Sequence, residues 1–514
     1  MDPQLFLSAK DVTFRYFEQS KRNVLDHASL EIAPGRVTVI TGNSGCGKST
    51  FAAVAAGLYP ENAGILESGE IAFRGRPLKG MSFRERTKYL SLMFQNPDLQ
   101  FCMDTLRREM RFCMENICVP QPEMDGRIAL WSERLGIGSL LDQPLHTLSG
   151  GEKQKAALAC LFLLGSEGVL LDEPFANIDR ESAREIIAML GRANREDGLT
   201  VIAIDHQLDD WLPILDEVIV LGEGGKVLQR GITRGNLPQQ YQLFVDQGIT
   251  FPKKRRRKRP EVPENEAAIR LEGFSVQRGA SRKRKARGTE PDFLLEGVSA
   301  SFPRGQITAI LGPSGIGKTT LFLALLGQIP YNGDIFLCGE GQDRELRRIR
   351  QKDLFREIGI VFQNPGNQFI SQNVLEEVEK SIRQWEPQAS PESVKERALA
   401  QLDTYGLRPF QRYSPYMLSQ GQQRRLAVLA VLTGGQKILL LDEPTYGQDY
   451  RSSEAILEQL SRKADEEGLT VLLTTHDRKL AGSYADKIYE VKGRALVQAS
   501  PQAILDQEGA GLYD

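Results

Sequence analysis

At 514 residues with a formal charge of only −2, the chain is long enough for two domains of about 200 to 250 residues, each burying its own core, and too nearly neutral to be a polyanion binder as a whole. Its six cysteines, at 46, 102, 113, 118, 160 and 338, include no Cys-x-x-Cys pair and no spacing suited to a metal site, which excludes a disulfide scaffold and fits a reducing cytosol. The opening Met1-Asp-Pro-Gln-Leu-Phe-Leu lacks the basic start and apolar stretch of a secretory leader, and the most apolar run, 156–164, is far short of the ~18 residues of a membrane span. A membrane process would have to take its span from other subunits.

The chain begins with alternating segments of antiparallel-strand character, 5–12 and 28–32, around a polar turn at 18–23. Tyr16 lies 32 residues ahead of Lys48, where an aromatic ring either stacks on adenine or covers the sheet edge. An apolar run at 37–40 then enters Gly42-Asn43-Ser44-Gly45-Cys46-Gly47-Lys48-Ser49-Thr50, followed by a helix-like stretch at 51–56. A glycine turn into an ordinary helix resembles this in outline, but the full spacing between a strand and a helix is that of a phosphate-binding loop. Gly42, Gly45 and Gly47 let successive N–H groups face a polyphosphate at a helix N-terminus, Lys48 reaches the β- and γ-phosphates, and Ser49 ligates Mg²⁺. Cys46 sits in this loop near the helix start, an environment that lowers thiol pKa, so a thiol reagent is expected to inhibit and bound ATP to protect.

An apolar strand next ends in Gln95, and Asn96-Pro97 forces a turn; Gln95 either reaches a metal ion and the attacking water or simply turns the chain. Residues 104–147 read as mostly helical and lead to Leu148-Ser149-Gly150-Gly151-Glu152-Lys153-Gln154. Ser149 and Glu152 form a capping box, while Gly150 and Gly151 expose bare N–H groups at a helix start, a second anion site. The wholly apolar strand 169–171 ends in Asp172-Glu173, where Asp172 is expected to hold Mg²⁺ through water and Glu173 to polarise the water that attacks the γ-phosphate. The strand 200–204 ends in Asp205-His206, and His206 is assigned to the γ-phosphate. All these groups fall at C-terminal ends of parallel strands, where open α/β sheets bind ligands. The capped helix at Ser149 has no place in that cluster, which points it at the nucleotide of another domain.

The whole pattern recurs. Gly312-Pro313-Ser314-Gly315-Ile316-Gly317-Lys318-Thr319-Thr320 follows an apolar strand at 307–311, and 318 − 48 gives an offset of 270. Ser149 and Ser419, Asp172 and Asp442, Glu173 and Glu443, and His206 and His476 keep that offset, so the chain is a tandem duplication: a domain at 1–245, a basic linker at 246–266 and a second domain at 267–514. The copies differ. Gln420 stands where the first has Gly150, between Ser419 and Gly421, and Arg278 replaces Tyr16 ahead of a loop eight residues longer (40 from Arg278 to Lys318, against 32). Basic runs at 253–259 and 282–287 read as solvated linker or as contacts to anionic lipid; nucleic acid is disfavoured because no aromatics interleave the charges.

With these residues in place the chain resembles a pair of fused ATP-binding cassettes, as in ABC transporters. The resemblance makes 42–50 and 312–320 Walker A motifs, Gln95 and Gln363 the Q-loop residues, 148–154 and 418–422 the signatures, Asp172-Glu173 and Asp442-Glu443 the Walker B pairs, Asp179 and Asp449 the D-loop aspartates, and His206 and His476 the switch histidines. It implies an α/β fold of two tandem P-loop cassettes, each with a mainly parallel sheet core, an antiparallel β subdomain and a helical signature subdomain. It also implies ATP and Mg²⁺ as cofactors, with Ser49, Gln95, Asp172, Thr319, Gln363 and Asp442 toward the metal, and two composite sites in which each signature completes the other cassette's nucleotide. Phe94-Gln95-Asn-Pro-Asp-Leu-Gln100 and Phe362-Gln363-Asn-Pro-Gly-Asn-Gln368 are similar to the Q-loops of energy-coupling-factor and cobalt importers. That narrower likeness implies import of a vitamin or metal ion from the cytoplasmic face of the cell membrane, with a transmembrane coupling subunit and a small substrate-binding membrane protein as partners. A soluble ABC-F-type translation factor is the rival from another class, but such proteins carry a long charged helical arm that the short Pro-containing linker lacks. The tandem ATPase of a sugar importer is a third reading, whose Q-loop usually lacks Asn-Pro-x-x-Gln.

Overall fold

The computed structural model describes residues 2, 4–18, 22–43, 45–175, 180–249, 266–278, 292–313, 315–339, 341–445 and 450–508. The chain divides into two compact units, Met1–Pro252 and Lys253–Ala510.

In the first unit β1 (Leu7–Arg15), β2 (Leu25–Ile32), β4 (Ile65–Phe73) and β5 (Arg76–Pro77) form an antiparallel sheet in the order β2-β1-β4-β5. A second sheet contains β3 (Val37–Gly42), β6 (Leu90–Met93), β7 (Gly168–Asp172), β8 (Thr200–Ile204), β9 (Glu217–Leu221) and β10 (Val227–Ile232), ordered β10-β9-β3-β8-β7-β6. Only the β9–β10 pairing in it is antiparallel. Helix α1 (Lys48–Ala55) follows β3, α2 (Phe83–Tyr89) precedes β6, α3 (Leu106–Asn116) and α4 (Gln121–Arg134) lie in the stretch 104–147 expected to be mostly helical, and α5 (Gly150–Leu163) opens after Ser149. α6 (Arg180–Asp197) links β7 to β8, and α7 (Tyr241–Asp246) closes the unit. Beyond α7, Ile249 is buried in the same core.

The strands of the parallel sheet are buried on both faces, which is why they read as unbroken apolar runs. Val39, Val169, Leu171, Val201 and Ala203 face one cluster with Met110, Ile128 and Leu158 of the helical segment. Their neighbours Ile40, Leu170, Ile202 and Ile204 face the opposite cluster with Phe6, Phe14 and Phe73 of the antiparallel part. The period of two thus clamps the central sheet between the helical and antiparallel layers.

The second unit repeats this order. β11 (Ala267–Gln277), β12 (Phe293–Pro303), β14 (Asn332–Leu337) and β15 (Arg344–Glu345) pair as β12-β11-β14-β15. β13 (Ile307–Leu311), β16 (Ile358–Val361), β17 (Ile438–Asp442), β18 (Thr470–Thr475), β19 (Lys487–Lys492) and β20 (Ala495–Ala499) pair as β16-β17-β18-β13-β19-β20. Its helices are α8 (Lys318–Leu325), α9 (Gln351–Glu357), α10 (Val374–Trp385), α11 (Pro391–Thr404), α12 (Gln420–Leu432), α13 (Tyr450–Glu467), α14 (Arg478–Tyr484) and α15 (Pro501–Glu508). Ile310, Leu440 and Leu472 of the central strands share a core with Phe274 and Phe302. The expected mainly parallel core sheet, antiparallel β subdomain and helical segment are present in both units.

Leu170 and Leu440 hold the same place in the two copies and are fully buried. Leu170→Ala and Leu440→Ala should each destabilise the protein by about 2–5 kcal/mol, read as a lower denaturant midpoint; a loss under about 0.5 kcal/mol would mean that the sheet is not clamped from both sides.

Candidate functional site

Each phosphate loop leaves a buried strand and turns into a helix through glycines at positive φ: Gly42 (151°), Gly45 (78°) and Gly47 (107°) in the first copy, Gly315 (77°) and Gly317 (110°) in the second. A Cβ on Gly42 would lie 2.2 Å from the Leu221 carbonyl oxygen, and one on Gly47 2.8 Å from Leu25, so packing as well as conformation demands glycine there. At Gly45 and Gly315 a Cβ would meet nothing within 4 Å, so this side of each loop is open to a ligand facing its N–H groups. Lys48 and Lys318 are both 6% exposed. Lys48 Nζ donates to the carbonyls of Gly42 (2.8 Å) and Asn43 (2.9 Å), and Lys318 Nζ to those of Gly312 (2.5 Å) and Pro313 (3.1 Å). The loop's own carbonyls hold each ammonium at its mouth. Asn43 Nδ2 also donates to Gln247 Oε1 at 3.2 Å, tying the loop to the segment after α7. Ser44 and Ser314 lie outside the described residues, and Ile316 packs against the core of its unit.

The first helical residues bring the loop to the sheet. Ser49 Oγ donates to Asp172 Oδ1 at 3.1 Å, and Thr319 Oγ1 to Asp442 Oδ2 at 2.6 Å. Burial, then the adjacent Glu173 charge, push the Asp172 carboxyl up to about 6; burial likewise raises Asp442. Glu173 and Glu443 adopt φ of 47° and 51°, strained for a residue with a Cβ and of the kind kept at working sites. Glu173 Oε1 lies 2.9 Å from His206 Nε2 and its Oε2 accepts from Gln95 Nε2. Glu443 Oε2 lies 3.0 Å from His476 Nδ1 and Oε1 3.2 Å from Lys318 Nζ. Burial opposes ionisation of Glu443, but the hydrogen bond and charge of His476, with Lys318, outweigh it and push the carboxyl down to about 2. In Glu173 burial is likewise overcome, chiefly by His206, and its pKa is lowered. Burial works against a charged His476, yet Glu443 raises its pKa above the usual histidine value.

Several contributors have a role that the sequence did not assign. Gln100 takes the Phe94 N–H on Oε1 (3.1 Å) and gives Nε2 to the Leu92 carbonyl (2.9 Å); Gln368 does the same to Phe362 (2.8 Å) and Ile360 (3.0 Å). The last residue of the Asn-Pro-x-x-Gln motif therefore closes the loop that carries Gln95 or Gln363. Its recurrence in both copies was the available signal. The buried Glu109 and Glu377 accept the N–H groups of Cys102 and Met103, and of Ile370 and Ser371, fixing the chain where it leaves that loop. Asp205 caps the histidine turn of the first copy, accepting from Gln207 N and Trp211 Nε1, both at 2.9 Å.

Gln95 is thus placed against the carboxylate of Glu173, whereas Gln363 is exposed. The capping boxes at Ser149 with Glu152 and Ser419 with Gln422 are present, opening α5 and α12. Gly150 and Gly151 form the first turn of α5, Gln420 and Gly421 that of α12, and a Cβ on Gly421 would meet nothing within 4 Å. Tyr16 sits beside the phosphate loop with its hydroxyl 2.9 Å from Thr50 Oγ1 and its ring edge-on to Phe14 and Tyr59. Arg278 is exposed and pairs with Asp292 at 3.2 Å. Thr320 occupies the first turn of α8. Asp179, Asp449 and the basic runs at 253–259 and 282–287 lie outside the described residues.

The ABC transporter family model matches residues 25–176 and again 295–446, ranges offset by the same 270 residues. A protein of Bacillus subtilis (strain 168) named "Putative HMP/thiamine import ATP-binding protein YkoD" is 35% identical over 98% of this chain and 93% of its own length. The chain belongs to the ABC transporter family. It is an ATP-hydrolysing ABC subunit with two cassettes. An ABC transporter ATP-binding protein of Clostridium perfringens (strain 13 / Type A) is 30% identical over 98% of this chain and 92% of its own. Among solved structures, one titled as a model of ribosome-bound archaeal Pelota and ABCE1 matches at a TM-score of 0.65 and 20% identity, over 98% of this chain and 80% of that one, a likeness of fold. No helix among the described residues is long and apolar enough to cross a membrane.

One expectation is corrected. The Cys46 side chain is only 3% exposed and packs in the core with Phe51, Val54 and Leu221, so what Cys46 offers a ligand is its backbone. Cys102 and Cys118 are exposed. A maleimide should label Cys102 and Cys118 well before Cys46 even without ATP, as read by peptide mass spectrometry; labelling of Cys46 at the rate of Cys118 would mean that the loop opens its core side to solvent.

Proposed function

We propose that this ABC subunit powers import as the energy-coupling ATPase of a complex of the energy-coupling-factor type, bound peripherally at the cytoplasmic face of the membrane. Its partners in this reading are a transmembrane coupling subunit and a small substrate-binding membrane protein, which would carry solute specificity. The observation that carries the ATPase chemistry is that both copies keep a loop lysine, a hydroxyl–carboxylate pair and a glutamate–histidine pair at the ends of parallel strands. The import half is supported by the Asn-Pro-x-x-Gln closure of both Q-loops and by the thiamine-related name of the 35%-identical Bacillus protein, which favours a vitamin over a metal ion as cargo.

The donor chemistry fits Mg²⁺. Ser49 with Asp172, and Thr319 with Asp442, each offer one hydroxyl and one carboxylate, and no cluster of three or more His, Cys, Asp or Glu forms a metal cage among the described residues. This is the sparse set of an ion whose remaining positions go to water and substrate phosphates; Gln95 and Gln363 are the further candidates to reach it. When bound, Mg²⁺ would neutralise charge on the β- and γ-phosphates. The chain's own groups do the rest. Lys48 and Lys318 take the β- and γ-phosphates, the loop N–H groups cradle them, and Glu173 and Glu443 orient the attacking water. Glu443 is held by His476 and Lys318, so it must exchange these partners for the attacking water before it acts, while Lys318 and His476 turn to the phosphates.

In this proposal each signature completes the other cassette's nucleotide, Ser419 and Gly421 serving the Lys48 site and Ser149 and Gly151 the Lys318 site, because a capped helix start offers bare N–H groups to an anion. Glu173→Gln and Glu443→Gln should each leave ATP binding intact and each cut steady-state hydrolysis to well under half. Near wild-type turnover in Glu173→Gln would make the first site regulatory and end the symmetric scheme. Purification from membranes tests the rest: two small hydrophobic subunits should accompany the chain, whereas ribosomes in their place would overturn import.

A further inference from the structure

Arg424 lies five residues into α12 and is 4% exposed. A guanidinium this deep is costly unless its donors are met. Its fork meets two main-chain acceptors: Nη1 donates to the carbonyl of Glu443, and Nη2 to the carbonyl of Gln363. These are the residues at the strained turn after β17 and two residues past the end of β16. One side chain therefore joins the Q-loop to the backbone that aims the water-orienting carboxylate. The first copy has no such fork. At the equivalent position, 424 − 270, stands Gln154, fully buried, with neither its amide nitrogen nor its amide oxygen hydrogen-bonded. There the same two elements meet through side chains instead, Gln95 Nε2 donating to Glu173 Oε2.

We propose that Arg424 is a positioning residue of the second cassette that transmits movement of the Q-loop to Glu443, a link the first cassette lacks at Gln154. The proposal rests on Glu443 orienting the attacking water. A carbonyl–guanidinium–carbonyl bridge resists any shift of one loop that the other does not follow, because breaking either half strands a buried donor. Two planar donors in fixed geometry can span two carbonyls; a lysine ammonium on a flexible stem does not hold that span. The two cassettes are then coupled differently to whatever moves their Q-loops, the second through its backbone and the first through the tip of a glutamine.

The test uses the full-length chain and steady-state ATPase kinetics with Arg424→Gln and Arg424→Lys. Both Arg424 variants should lower kcat about tenfold, as loss of a group that orients a reacting residue does, while KM for ATP stays within about threefold. Full activity in Arg424→Lys would overturn the proposal, reducing the residue to a buried charge. So would a rise in KM that accounts for the whole loss. If Arg424→Gln does not fold, Arg424→Lys decides. Activity retained in Glu443→Gln would overturn the reading of Glu443 itself, whereas activity retained in both Arg424 variants with Glu443→Gln inactive would overturn only the bridge.

Discussion

A lysine ammonium sealed at the mouth of a parallel sheet is the constraint around which each unit is built. At 6% exposure neither Lys48 nor Lys318 is hydrated as it would be at a surface, and its charge must be met by groups the fold supplies. The loop carbonyls meet part of it, and in the second unit Glu443 lies 3.2 Å away. Water is largely excluded, so neighbouring charges are felt strongly, and within each unit the two carboxyls are driven apart: Asp172 is raised while Glu173 is lowered, and Asp442 is raised while Glu443 is lowered to about 2. The glycines, the strained glutamate turns and the closing Gln100 and Gln368 all serve to hold this cluster in register.

The fold was legible because its constraints are local and periodic. Unbroken apolar runs at 169–171 and 200–204 announced strands buried on both faces, and the structure shows the two cores that bury them. The loop glycines were legible because only glycine tolerates their backbone, and the repeat at 270 residues marked the phosphate loop, the capped helix, the Asp-Glu pair and the histidine a second time. Hydrogen bonds that run from a side chain to a distant backbone left at most a recurrence as trace, as of Gln100 in Gln368. Gln100, Glu109 and Asp205 act on main-chain groups that any residue offers, so the sequence names one partner and hides the other. The direction of the Cys46 thiol was hidden for a different reason: the motif's spacing fixes the loop backbone and not the side each side chain takes, and here the thiol lies in the core.

The two copies agree where the chemistry is and differ around it. Lys, Asp, Glu and His recur, and the hydroxyl beside the Asp persists as Ser49 and Thr319. The surroundings diverge: Asp205 caps the histidine turn of the first copy where the second uses Thr475, whose Oγ1 accepts from Asp477 N at 3.0 Å. Tyr16 stands for Arg278, Gly150 for Gln420, and Gln154 for Arg424.

That divergence has a meaning tied to the single chain. Where cassettes are separate copies of one gene product, any substitution enters both positions at once, and a residue that improves one must be tolerated by the other. Joining them end to end removes that requirement, and it also guarantees that every molecule carries one of each kind in a fixed ratio. Differences such as Gln154 against Arg424 can then accumulate in one half without entering the other. Covalent continuity here acts as a form of inheritance control: it lets the two halves diverge in sequence while being made, at every synthesis, in equal number.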